Sequence, residues 1–400
     1  MKDRHFIVGP ETARMFELGH PWVLTDRYTR RWPQARPGEL VPLTDEQGKL
    51  LAMALLEPSA HVVARVLEFG PMKLDKEWLR SKVVRARQLR ERHLDLSGTT
   101  AYRLINGEGD GLPGLTVDRY GDYLMVQLYA ESWSPHLPML VQVLEKECQT
   151  KGIYEKRRPQ KTRELEAVSE NKKFSRLLAG SACRGRLQVQ ENGLEFLVEL
   201  EEGLNTGLFL DQRANRRDLM GRVAGKNVLN LFAYTGAFSV AAACSGATRV
   251  TSVDASGYYL KWAEENFSIN RQNPRRHEFI VDDCLKALRQ LQGQGRQFDI
   301  ILMDPPSFST TKKSRFTTRG GTSDLVAAAL PLLADGGLLI TSSNHQKVDL
   351  ADYLKELRRG ALQQQCDLRV VRVMGQPEDF PFPLTFPEGR YLKYVMAVKG

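Results

Sequence analysis

Between Asn227 and Thr341 the chain alternates short apolar runs with helix-length stretches, and this rhythm constrains the fold more than any other feature. The strand candidates are Asn227–Leu231, Arg249–Asp254, His277–Val281, Phe298–Met303 and Gly337–Thr341. Strands that alternate with helices pair in parallel, and a parallel sheet needs cover on both faces. A doubly wound α/β sheet is therefore predicted from about residue 186 onward. In such a sheet ligands bind beyond the carboxyl ends of the strands, so the residues that close each strand carry the functional information.

The first strand runs into Phe232-Ala233-Tyr234-Thr235-Gly236, a tight turn in which Gly236 lets backbone approach a ligand before the next helix begins. The second ends in Asp254, a carboxylate able to accept from two vicinal ribose hydroxyls. Asp282-Asp283 close the third, where an acid can accept from an adenine amino group. A dinucleotide site would want G-x-G-x-x-G to admit a pyrophosphate, and that motif is absent from this turn. One glycine in an aromatic turn suits an adenosine cofactor without phosphates, such as S-adenosylmethionine. An Asp after a strand is often only a helix N-cap, but three ligand points in this order favour the cofactor.

Asp304-Pro305-Pro306-Ser307-Phe308 follows the fourth strand. Two consecutive prolines lack N–H donors and stiffen the backbone, so Asp304 and nearby carbonyls can present acceptors to a planar base. Phe308 can offer a face on which a flipped base stacks. The plain alternative is a stiff β–α turn with a core phenylalanine.

Upstream, residues 1–72 read as short strands broken by turns, a small β-barrel or sandwich. Residues 73–185 read as an α+β unit, with a glycine-dense turn between Tyr102 and Asp118, and residues 186–400 complete the chain. Leu74, Trp78, Leu79, Val83, Ala86 and Leu89 make one apolar helical stripe, and basic residues are expected on the remaining surface. Residues 73–92 carry eight basic side chains against three acidic, within a chain of net charge +9. This concentration suits a polyphosphate partner, and Arg85, Arg87 and Arg90 are the candidate RNA contacts. Lys156-Arg157-Arg158 and Lys172-Lys173 add to it, while Glu164–Lys173 reads as a loop.

Forty-two per cent hydrophobic residues argue against disorder, and no run approaches the roughly 20 apolar residues of a membrane span. The N-terminus lacks a signal-peptide core, so cytoplasmic residence is expected. Five scattered cysteines without CxxC spacing suggest neither a disulfide framework nor a metal site.

With these residues in view, the segment 186–400 resembles a class I S-adenosylmethionine-dependent methyltransferase, with a Rossmann-like sheet. The whole chain resembles the bacterial 23S ribosomal RNA base methyltransferases that carry an N-terminal PUA domain. His20-Pro21-Trp22-Val23 with Gly38-Glu39 resembles the PUA part; Tyr102-Arg103-Leu104 through Asp118-Arg119-Tyr120 resembles the central domain. Thr206-Gly207-Leu208-Phe209-Leu210-Asp211-Gln212-Arg213 resembles the segment just before the cofactor turn. The resemblance implies that Phe232, Tyr234, Thr235 and Gly236 surround the methionine part of the cofactor. Asp254 would bind ribose, Asp283 adenine, and Asp304 would sit near the sulfonium. Asp211, Gln212 and Arg213 would line the same cleft, the plain alternative for Arg213 being a surface helix residue.

Cytosine-C5 members of this family resemble one another in a cysteine just after the fifth strand, because C5 becomes nucleophilic only when a thiolate adds at C6. Here Asn344 stands at that place, in Thr341-Ser342-Ser343-Asn344-His345. The pairing of the Asp304 segment with Ser343-Asn344 instead resembles relatives that methylate guanine at N7. An in-plane lone pair at N7 needs alignment with the sulfonium and no covalent catalyst. Asp304, Pro305, Pro306, Phe308 and Asn344 are thus the expected catalytic set, with 23S ribosomal RNA or a large-subunit precursor as partner. Cytosine C5 is the runner-up, a catalytically silent RNA-binding assembly factor is a second class, and a small-molecule methyltransferase leaves the first 185 residues without a role. A homodimer is compatible with the sequence.

Overall fold

The computed structural model describes residues 5–57, 60–156, 174–306, 308–310, 315–317 and 321–400, with the side chains of residues 307–320 left out. The chain forms two compact units. One comprises residues 1–187, 199–206 and 378–389, the other 188–198, 207–377 and 390–400.

The first unit holds two sheets. Strands β1 (Phe6–Ile7), β2 (Trp22–Leu24), β3 (Leu40–Thr44), β4 (Leu50–Leu56) and β5 (Val62–Glu68) form a mixed sheet of order β1-β3-β4-β5-β2. Helix α1 (Pro10–Glu17) contributes Phe16 to its core, with Phe6, Val23, Val41 and Leu43. The β3–β4 turn closes because Asp45 Oδ1 accepts from the N–H groups of Gln47 and Lys49, while Gly48 takes a left-handed φ of 79°.

Helix α2 (Lys76–His93) begins at Asp75, whose carboxylate accepts from Trp78 N–H at 3.0 Å as an N-cap. Strands β6 (Ala101–Asn106), β7 (Leu115–Tyr120), β8 (Tyr123–Leu128), β9 (Gly152–Lys156) and β10 (Ser175–Gly180) form the second sheet, in order β10-β9-β8-β7-β6. The crossover through α3 (Leu137–Cys148) makes β8 and β9 its one parallel pair. Leu79, Val83 and Ala86 of α2 and Leu140, Val143 and Leu144 of α3 pack into one core with Leu104, Val117 and Val126. The predicted loop at 164–173 and the basic residues Arg157, Arg158, Lys172 and Lys173 lie outside the described residues; Lys156 is buried.

The second unit opens with the hairpin β11 (Leu187–Glu191) and β12 (Leu194–Val198), then α4 (Arg213–Met220). The doubly wound part follows as β13 (Asn227–Leu231), α5 (Ala237–Cys244), β14 (Arg249–Asp254), α6 (Gly257–Ile269), β15 (Glu278–Val281), α7 (Cys284–Gly293) and β16 (Phe298–Met303). A short pair, β17 (Phe308–Thr310) and β18 (Arg315–Thr317), precedes α8 (Gly321–Ala329), β19 (Leu333–Ser343), α9 (Leu350–Gln363), β20 (Leu368–Met374) and β21 (Lys393–Lys399). The seven-stranded order is β15-β14-β13-β16-β19-β21-β20. All pairs from β15 to β19 are parallel, and β21 runs antiparallel to both neighbours. Strands β13 and β16 lie side by side where the winding reverses, so their carboxyl ends open the crevice in which this architecture binds ligands. No helix among the described residues is long and apolar enough to cross a membrane.

Candidate active site

The turn after β13 carries unusual backbone. Phe232 (φ 58°), Tyr234 (φ 52°) and Gly236 (φ 77°) all lie in the left-handed region. Glycine goes there freely; a bulky aromatic residue does so at a cost of about 1 kcal/mol or more. Surrounding bonds hold the turn in this shape. Ala233 N–H donates to the Val253 carbonyl at 2.9 Å, Gly236 N–H to that of Ala233 at 2.8 Å, and Tyr234 N–H to Asp254 Oδ2 at 2.9 Å. Asn266 on α6 donates to the Thr235 carbonyl at 2.9 Å and accepts from Leu197 N–H at the same distance. The buried Thr235 hydroxyl donates to the Gly207 carbonyl, which ties the segment leading into α4 to the turn. At Gly236 a Cβ would stand 2.7 Å from that of Ala263, so the position excludes side chains by space as well as by φ.

Asp254 closes β14 half-buried. Oδ1 accepts from Ser256 N–H and Oδ2 from Tyr234 N–H, both at 2.9 Å, and burial raises its pKa above the usual carboxylate value. Asp283 is the N-cap of α7, accepting from Leu285 and Lys286 N–H at 3.1 and 3.2 Å. Asp282 is held below the usual range, chiefly by its bond to Lys286 Nζ. Val281, between these acids, is 58% exposed at a strand end where apolar side chains are ordinarily covered.

The floor between β16 and β19 is a hydrogen-bonded polar cluster. Gln212 is buried, donating to Asp304 Oδ2 at 3.0 Å and to Ser342 Oγ at 2.8 Å and accepting from Asn215 Nδ2 at 2.6 Å. Desolvation, and next the nearby Asp211 charge, push Asp304 up to about 6; bonds from Ser342 and Gln212 and the charge of Arg216 oppose the shift. Asp211 accepts from the Tyr391 hydroxyl at 2.8 Å. Arg213 is buried, not a surface residue, and its carbonyl accepts from Asn192. Arg216, one helical turn further, forms a buried two-bond pair with Glu191 at 2.6 and 2.7 Å and also donates to the Phe209 carbonyl. Ser342, Asn215, Arg216, Glu191 and Tyr391 were not expected from sequence. Only the i, i+3 spacing of Gln212 and Asn215 on a helix start could have pointed to one of them.

Pro305 is buried and Pro306 exposed; Asn344 is exposed just past the end of β19. Phe308 begins β17, and its side chain lies outside the described residues.

The expectation for helix α2 in the first unit needs correction. Arg85 is exposed and Arg87 half-exposed, with Arg87 bonded to Glu91 at 3.2 Å, but Arg90 is wholly buried. Its guanidinium makes two bonds to Asp110 at 2.6 and 2.8 Å and donates to the carbonyls of Arg103, Ala86 and Asp379. The reason is periodicity. Leu79, Val83, Ala86 and Arg90 are successive i+4, i+3 and i+4 steps, so Arg90 falls on the apolar stripe and is ruled out as a surface RNA contact.

A doubly wound sheet with a strained aromatic turn, a strand-closing acid on that turn and a polar floor at the switch point defines a nucleoside-cofactor enzyme. The glycine-poor turn, the half-buried Asp254 and the exposed Val281 beside Asp283 fit an adenosine bearing a sulfonium amino acid. The family model for S-adenosylmethionine-dependent methyltransferases matches residues 102–385, and that for a PUA-like domain matches residues 6–69.

Ribosomal RNA large subunit methyltransferase I of Cronobacter sakazakii is 36% identical over 383 residues, covering 94% of each chain. The protein of that name from Escherichia coli O139:H28 is 35% identical over 378 residues, again covering 94% of each. A methyltransferase crystallised with SAH superposes with a TM-score of 0.88 at 28% identity, covering 99% of this chain and 100% of that one. A SAM-dependent methyltransferase from Streptococcus mutans gives 0.85 at 27% over the same shares. The chain belongs to the S-adenosylmethionine-dependent methyltransferase family that includes ribosomal RNA large subunit methyltransferase I. It is an enzyme with a PUA-like N-terminal domain, and S-adenosylmethionine is its cofactor.

Proposed function

We propose that the protein methylates guanine N7 in the RNA of the large ribosomal subunit. Its relatives are named for that RNA, and the chain matches them along 94% of its length. The observation that carries the choice of atom is the state of the cysteines. All five lie among the described residues, and none is on the turn directly after β16 or β19. Cys284 packs buried at the start of α7, and burial pushes every one of the five thiols above its usual pKa, Cys148 to about 11. Covalent C5 chemistry needs an accessible, readily ionised thiol at the base.

S-adenosylmethionine supplies the electrophilic methyl group when bound. Asp254 would accept from the ribose, Asp283 from the adenine amino group, and Phe232, Tyr234, Thr235 and Gly236 would border the methionine portion. Asp211, Gln212 and Arg213 would close the cleft. Asp304, steadied by Gln212, would face the sulfonium side, and Asn344 would hold the guanine edge. Pro305 and Pro306 stiffen that wall, and Phe308 would stack on the base. We also propose residues 1–72, 73–185 and 186–400 as the functional divisions, acting in the cytoplasm, with a homodimer as the oligomer to test.

Methyl transfer to 23S RNA followed by nucleoside mass spectrometry tests the reading. It expects 7-methylguanosine, no covalent adduct on 5-fluorocytosine RNA, and retained activity in Cys284→Ser. A trapped thiol adduct, or 5-methylcytidine as sole product, would overturn it.

A further inference from the structure

Helix α2 leaves less free positive charge than its composition suggests. Arg80 is bonded to Glu77 and Glu147, Arg87 to Glu91, Arg90 to Asp110, and Lys82 to Glu68 at 2.5 Å. A second basic stretch of the same unit behaves differently. Residues 26–36, Asp26-Arg27-Tyr28-Thr29-Arg30-Arg31-Trp32-Pro33-Gln34-Ala35-Arg36, place four arginines against one acid between β2 and β3. All four are exposed, and none makes an ion pair among the described residues.

Their acidic neighbours are engaged elsewhere. Asp26 Oδ1 accepts from the N–H groups of Tyr28 and Thr29 at 2.9 and 2.7 Å, and Glu46 accepts from the Tyr28 hydroxyl at 3.0 Å. Glu39 accepts from the backbone N–H of Arg36, not from its guanidinium. The turn is also fixed in place: Trp32 donates its indole N–H to the Ile7 carbonyl at 2.7 Å and packs edge-on against Phe6 at 5.6 Å. Arg27 lies over the Tyr28 ring at 5.0 Å. Arg27 also donates to the Tyr28 hydroxyl at 3.3 Å, but no described carboxylate neutralises any of the four. Forked guanidinium groups of this kind on a fixed turn match the geometry of phosphate oxygens.

We infer that the Arg27–Arg36 turn is the surface on which the first unit grips the RNA sugar–phosphate backbone. The inference rests on the proposed RNA substrate and assigns its docking to a segment other than α2. Phosphate contacts of this kind fix position without reading sequence, so affinity and its salt dependence should change while the methylated atom does not.

The test uses the full-length protein and a 23S RNA transcript, with Kd measured across a salt series. Changing Arg27, Arg30, Arg31 and Arg36 together to Gln should weaken binding at least tenfold and lower the log–log salt slope by about 3, at roughly 0.7 to 0.9 for each of four lost phosphate contacts. The corresponding four-fold Lys variant should keep most of the slope, which separates lost charge from lost folding, and S-adenosylmethionine affinity should be unchanged in both. Wild-type affinity and slope in the Gln variant would overturn the assignment, the more so if Arg85→Gln with Arg92→Gln lowered them instead. Preferential, variant-sensitive binding to phosphatidylglycerol vesicles over RNA would overturn it in favour of a membrane. Salt-insensitive RNA binding by the wild type would strike first at the proposed RNA substrate and take this surface with it.

Discussion

Helix α2 and the Phe232–Gly236 turn hold polar groups in opposite ways. The helix, with no left-handed residue, buries a guanidinium and offsets the desolvation of Arg90 with two bonds to Asp110 and three to carbonyls. In the turn, two aromatic residues sit in left-handed backbone, and the Asp254 carboxylate that accepts from one of them, Tyr234, is only half-buried. A fully satisfied buried charge fixes a scaffold. A strained backbone beside an under-used acid marks a place kept ready for something else.

The largest effect expected from this contrast is structural. Arg90→Ala removes one partner of a buried pair and leaves Asp110 and several carbonyls without their donor, a loss of about 3–5 kcal/mol. Arg85→Ala, an exposed position five residues earlier on the same helix, should stay within about 0.5 kcal/mol. Urea titrations of both variants measure the difference; equal stabilities would remove the basis for calling Arg90 a core residue.

Asp304→Ala should lower turnover about 100-fold, since misplacing a reacting group by about 1 Å costs on that order. Its pKa near 6 adds a pH signature. Burial raises the folded-state value above that of the unfolded chain, so this group's effect on stability favours acid: stability falls as pH rises from about 4 to 6 and is flat above. Cofactor binding runs the other way. A sulfonium cation favours the carboxylate, so affinity for S-adenosylmethionine should tighten as pH rises through 6, whereas S-adenosylhomocysteine, whose sulfur is a neutral thioether, should respond weakly. Parallel calorimetric titrations at pH 5 and 7.5 decide it, and identical pH profiles for the two ligands would place Asp304 away from the sulfonium.

Asp254→Ala acts on the turn and the proposed ribose contact together. It leaves Tyr234 and Ser256 N–H without an acceptor and should weaken S-adenosylmethionine binding by about 1–3 kcal/mol. RNA affinity should hold. Equal losses of cofactor and RNA binding in a folded variant would separate Asp254 from the cofactor.

How far sequence reached into each region has a physical cause. The five parallel strands were legible because buried strands are apolar runs that end at ligand-binding turns, and Phe232–Gly236, Asp254 and Asp304 fall at those ends. Strands β20 and β21 were not foreseen. Leu368–Met374 interleaves Arg369 and Arg372 with exposed valines at the sheet edge, which blurs the alternation a strand usually shows. Ser342, Asn215 and Tyr391 were hidden because their roles depend on which strands and helices become neighbours, and single-sequence spacing does not carry that. Arg90 carries two conflicting signals, a charge that points to the surface and a place on the stripe through Leu79, Val83 and Ala86 that points to the core, and the stripe prevails because Asp110 is there to pair it.

The smallest effect concerns Asp283, where a scaffold role and a ligand role meet in one side chain. As the N-cap of α7 it satisfies two N–H groups, and Asp283→Ala should cost about 1 kcal/mol of stability for that reason alone. Asn caps a helix about as well as Asp, so Asp283→Asn should keep the stability. If Asp283 also accepts from the adenine amino group, cofactor affinity should fall by less than about 1 kcal/mol in the Asn variant, because a neutral acceptor persists, and further in Ala. Thermal melts and calorimetry on the two variants separate these effects. Unchanged affinity in Asp283→Ala, together with the stability loss, would make Asp283 a cap and nothing more and move it to the side of the comparison where Arg90 stands.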